Sequence, residues 1–184
     1  MTILSVNKTR ESEMGAVRSF FVVMRKNTKQ LTLGALIAAL YVALTWMQNL
    51  LIPGSTTMAI QFRASEAMCV LAFFTPAAIP GLGLGCLLFN LTNAAMPWDI
   101  ITGTAASVLA AAAMHFTRKI TIKGYPLPGM LMPALFNGFL VGWMLTYYFG
   151  GGFWINCLYV ALGELGVLLT LGSFLYYALK KHIY

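Results

Sequence analysis

Charge is scarce in this chain. Only 9% of its 184 residues are Asp, Glu, Lys or Arg, against about 25% in a soluble domain. Acids are the rarest of these: five in all, of which Glu11 and Glu13 lie in the polar N-terminal segment. Glu66, Asp99 and Glu164 are left in an otherwise apolar body, together with Arg63. With 59% hydrophobic residues and a mean hydropathy of +0.78, the composition excludes an ordinary soluble globule and indicates an all-α integral membrane protein of one domain.

Other absences narrow the function. There is no G-x-x-x-x-G-K-[ST], so the chain does not hydrolyse ATP at a P-loop. Gly81-Leu-Gly-Leu-Gly85 follows no strand and sits inside an apolar span, so it reads as helix packing. No metal triad and no nucleophile–base pair stands out, so no enzyme activity, cofactor or metal is expected. Cys69, Cys86 and Cys157 are isolated in apolar runs without C-x-x-C spacing, as small core residues are. The short apolar patch Ser19–Met24 is not followed by an A-x-A cleavage site. The net charge of +7 sits in tails and one loop, a pattern of cytoplasmic flanks against an anionic leaflet and not of a nucleic-acid footprint.

The apolar runs predict six spans, at about residues 31–52, 62–74, 80–93, 100–116, 130–149 and 153–179. A basic segment, 1–30, precedes this transmembrane domain of residues 31–180, and a short tail, 181–184, follows it. Basic clusters at 8–29, 118–123 and 180–182 fall on one side of an alternating topology, which places both termini in the cytoplasm. In the first span Ala35, Ala39 and Ala43 recur every fourth residue. This smooth stripe suits either another helix of the same chain or a partner subunit.

Ionisable groups at membrane depth cost roughly 2.5–3.5 kcal/mol each on insertion scales and usually face a cavity or path. Arg63 and Glu66, three apart, are expected on one helical face; a structural pair between them is the competing reading, and for Asp99 it is an N-cap. The topology gathers Gln61, Arg63, Glu66, Asn90, Asn93, Trp98 and Asp99 toward the outer side, with Asn137 and Glu164 deeper. All four tryptophans fall in the outer half, as an interfacial belt or in part as pocket lining. Carboxylates, carboxamides and aromatics together suit a small, flat, polar nutrient better than a lipid or a sugar.

Three segments carry a family resemblance. Gln61-Phe-Arg-Ala-Ser-Glu66, the run Phe74-Thr-Pro-Ala-Ala-Ile-Pro-Gly-Leu-Gly-Leu-Gly-Cys-Leu88, and Trp98-Asp99-Ile100-Ile101 followed by Gly103 resemble the QueT family, over about residues 31–180. That family comprises substrate-binding S-components of energy-coupling factor (ECF) importers for queuosine precursors. The resemblance implies a six-helix S-component in the bacterial plasma membrane, binding a 7-deazaguanine in its outer half. It also implies docking on a transmembrane coupling protein and two cytoplasmic ATPases, after which the loaded subunit topples and releases its cargo inside. Ala35-x-x-x-Ala39 matches the alanine motif that S-components use for docking. Two alternatives stay open: an S-component for another planar vitamin or purine-like compound, and a stand-alone proton-coupled carrier with Glu164 as relay.

Overall fold

Proline and glycine set where the helices stop. The structure, a computed structural model, describes residues 3–55, 62–93 and 97–183, with side chains from Arg25 onward except Lys26 and Ile183. Among the described residues every regular element is helical, and an isolated antiparallel bridge joins Ile122 to Tyr125. Helix α1 (Ile3–Leu51) ends just before Pro53, and α2 (Ala78–Thr92) follows the turn at Thr75-Pro76. Helix α3 (Pro97–Thr117) opens on a proline, whose missing N–H is not needed in the first turn. The basic loop leads to α4 (Leu127–Met130) and α5 (Met132–Phe149). Gly150 and Gly151, at φ 72° and 79°, then reverse the chain through a region that glycine enters without steric cost. A π-helical turn, Leu168–Gly172, joins α6 (Phe153–Val167) to α7 (Ser173–Ile183).

Among the described residues, four stretches are long and apolar enough to cross a bilayer: Asn27–Leu51, Pro97–Thr117, Leu127–Phe149 and Phe153–His182. The second and third expected spans are shorter. The second is a ten-residue 3-10 helix, Ala64–Phe73, and the third is the fifteen-residue α2. Their rises give about 20 Å and about 22 Å, against a hydrocarbon core of about 30 Å. The 3-10 helix runs through the middle of the bundle, packed against α1, α2, α3, α6, the π turn and α7. Most of its residues are buried, and short or irregular backbone is tolerated at membrane depth where protein surrounds it.

Glycine lets α2 lie close to both neighbours. A Cβ at Gly81 would stand 2.7 Å from the Gly34 carbonyl oxygen, and one at Gly85 would stand 2.8 Å from Tyr41 Cβ, both on α1. Gly83 points the other way and meets Val108 of α3. The Gly81–Gly85 run is therefore a two-sided packing surface. Helices α3, α5 and α6 continue the bundle around a smaller apolar cluster of Ala106, Val141, Met144, Leu145 and Val160.

The two ends of the bundle differ. At one end Tyr125 stacks on Tyr177, Lys180 lies over the Tyr176 ring, and His115 Nδ1 meets the Ala72 carbonyl at 2.7 Å. Arg118, Lys119 and Lys123 are exposed beside them, so two of the basic clusters share this end. The opposite end carries an aromatic belt that includes Trp143, Tyr147, Phe153 and Trp154.

Candidate functional site

Helix α1 builds the first wall. Tyr41, Thr45 and Gln48, spaced i, i+4 and i+7, lie on one helical face and are buried. The Gln48 carboxamide donates to the Phe62 carbonyl and to Ser55 Oγ at 3.0 Å, and its oxygen accepts the Ala64 N–H at 2.7 Å. The start of the 3-10 helix, which has no side-chain cap of its own, is thereby held by α1. Thr45 Oγ1 lies 2.7 Å from Ser65 Oγ, and the Tyr41 hydroxyl donates to Glu66 Oε1.

Arg63 and Glu66 do not form the expected pair. Arg63 is the extended residue before the 3-10 helix, at φ −107° and ψ 104°, so helical spacing does not apply to it. Its guanidinium reaches across the bundle to Asp99 Oδ2 at 2.8 Å, with both side chains buried. It also lies 3.9 Å from the Cys86 sulfur and 6.0 Å from the centre of the Phe89 ring. Asn90 Nδ2 donates to the Asp99 carbonyl at 2.8 Å. Gly103, one turn along α3 from Asp99, leaves room for this corner: a Cβ there would stand 2.5 Å from Asp99 Oδ1 and 2.9 Å from Asn90 Nδ2.

Glu66 has a different set of partners. In a 3-10 helix residues three apart eclipse, which brings the Cys69 thiol to 3.2 Å from Glu66 Oε2. Ser107 of α3 makes a longer contact, 3.5 Å, to Oε1. Glu66 is thus enclosed by neutral donors from α1, from its own helix and from α3.

Asn137 and Glu164 complete the interior polar set, each 4% exposed. Asn137 is one turn from Val141 on α5, and Glu164 is one turn from Val160 on α6. Val141 and Val160 share one apolar cluster, and antiparallel α5 and α6 carry both polar residues to the same side of it. Glu164 lies within electrostatic reach of Glu66 and Arg63. Among the described residues, three buried atoms of this set have no partner: Asp99 Oδ1, Asn137 Nδ2 and Glu164 Oε2. A buried polar atom left unpaired costs about 1–3 kcal/mol, more when charged. One guanidinium, three carboxylates and three unmatched polar atoms are therefore concentrated in the interior of the bundle.

Of the residues singled out in the sequence, Arg63, Glu66, Asn90, Asp99, Asn137 and Glu164 are all buried. Asn93 is only half-buried at the end of α2. Trp98 is 43% exposed and sits edge-on to Trp143 at 6.3 Å, in the belt and not among the buried acids. Gln61 lies outside the described residues. Ala35, Ala39 and Ala43 are exposed, on a different face of α1 from the Ile37–Ala38–Tyr41 surface that is buried. Sequence reasoning missed Tyr41, Thr45, Gln48 and Ser107. Three hydrogen-bonding residues at helical spacing within the first apolar span were the signal for the α1 wall.

In comparison with known proteins, the family model described as QueT transporter matches residues 31–181. No curated protein and no solved structure matches the chain.

Proposed function

Because the chain belongs to the QueT transporter family, a membrane transport family with small-molecule substrates, we propose that it is the substrate-binding S-component of an ECF-type importer. It captures a queuosine precursor, a 7-deazaguanine, from outside the bacterial plasma membrane. It releases that cargo inward when docked on a coupling protein and two ATPases. The observation that carries this reading is that, of four buried side-chain polar atoms without a partner among the described residues, two are carboxylate oxygens (Asp99, Glu164) and one a carboxamide nitrogen (Asn137), on three different helices; the fourth is the Thr104 hydroxyl. Deazaguanines present N–H donors beside a carbonyl, which is the complement of that set. The exposed Ala35–Ala39–Ala43 stripe supports docking, since small residues let another helix approach closely.

Reconstitution tests the proposal. Liposomes carrying this chain with a coupling protein and both ATPases should accumulate labelled 7-aminomethyl-7-deazaguanine only when ATP is supplied. Accumulation by this chain alone, driven by a pH gradient, would refute the S-component reading and make it a proton-coupled carrier.

A further inference from the structure

The three interior acids are not equivalent. Asp99 is paired at 2.8 Å with Arg63. Glu66 has a donor on each oxygen, Tyr41 on Oε1 and Cys69 on Oε2. Glu164 alone combines full burial, an unpartnered oxygen and no salt bridge among the described residues. On α5, which packs against the α6 that carries Glu164, Asn137 offers an unpartnered N–H donor. Both stand one turn beyond the same apolar cluster, from facing helices.

We propose that Glu164 and Asn137 form the recognition couple of the site, Glu164 accepting the ring N–H and Asn137 donating to the adjoining carbonyl of a planar lactam. Glu66 is then a positioning residue held by Tyr41. This inference rests on the small-molecule site proposed above and adds to it which residues read the ligand. An acceptor on α6 and a donor on the packed α5 can match the N–H and C=O that a lactam edge carries side by side, and mismatch a ring lacking both. Glu66 has less such freedom, because Oε1 already meets Tyr41 and Ser107 and Oε2 faces the Cys69 thiol. Its contacts instead tie the 3-10 helix to α1 and α3.

Binding of two ligand pairs to the full-length protein in detergent tests this. The first pair is 7-aminomethyl-7-deazaguanine and its analogue without the ring carbonyl and N–H; the second is guanine and 2-aminopurine. Glu164→Gln and Asn137→Leu should each weaken the lactam member of a pair by about tenfold or more, the scale of a lost buried hydrogen bond, and barely change the analogue. Tyr41→Phe and Glu66→Gln should shift both members of a pair by one common factor. Equal losses for lactam and analogue in Glu164→Gln and Asn137→Leu would overturn the proposal. So would a lactam-selective loss in Glu66→Gln. Failure of the deazaguanine pair alone removes the queuosine-precursor assignment and leaves the couple to be judged on guanine; failure of both pairs overturns the couple as well.

Discussion

Asp99→Asn is the substitution whose consequences the structure defines most sharply. It removes the charge that faces the Arg63 guanidinium at 2.8 Å, where the Arg63 side chain is 4% exposed. Breaking a buried ion pair by removing one partner costs about 3–5 kcal/mol, because the remaining charge stays in a low-dielectric interior. The nearby Cys86 sulfur and Phe89 ring are too weakly polar to replace a carboxylate. Replacing the pair by apolar residues of similar volume is often neutral, so Arg63→Met with Asp99→Leu should recover most of that stability. Unfolding of the purified protein in mixed micelles, followed by tryptophan fluorescence, reads both quantities. Ligand binding should remain lost in the stable double variant if the pair also belongs to the site. A double variant as unstable as Asp99→Asn, or a single variant as stable as wild type, would refute the assignment of Arg63 to Asp99.

Further outcomes follow from the same geometry. Gly103→Ala should destabilise the fold by about 1.5–3 kcal/mol, the range for a buried hydrogen bond to a charged group, since a Cβ there stands 2.5 Å from Asp99 Oδ1; an unchanged melting temperature would show that the corner relaxes freely. Gln48→Leu removes every hydrogen bond from the α1 carboxamide to Ser55, Phe62 and Ala64, so hydrogen exchange at the Ala64–Glu66 amides should accelerate while that of α6 does not. Ala39→Leu should leave ligand binding intact and abolish ATP-driven uptake; loss of binding instead would mean that this exposed alanine supports the bundle itself.

Much of this molecule is legible in the sequence because charge in hydrocarbon is costly. Arg63, Glu66, Asp99 and Glu164 stand out in an apolar chain, and all four are buried together with Asn90 and Asn137. Their partners are less legible, since they depend on contacts distant in sequence. Arg63 and Asp99 are 36 residues apart, and the extended backbone at Arg63 defeats the spacing rule that pointed it toward Glu66. The 3-10 winding of Ala64–Phe73 escapes composition because a periodic apolar run looks alike in either helix. The tryptophans mislead for another reason: Trp98 and Trp154 have the chemistry of pocket lining, yet both are exposed, by 43% and 72%. The Gly81–Gly85 run, by contrast, packs as its apolar setting indicates.

The central claim is that the buried acids and carboxamides bind a deazaguanine, and one titration tests it most directly. Intrinsic fluorescence of the purified chain is followed as 7-aminomethyl-7-deazaguanine or thiamine is added, with calorimetry as a second readout, for wild type and Glu164→Gln. Saturable binding of the deazaguanine to wild type, its marked weakening in Glu164→Gln and no binding of thiamine are expected. Binding of thiamine in place of the deazaguanine, or a heat and fluorescence response that Glu164→Gln leaves unchanged, would contradict the claim.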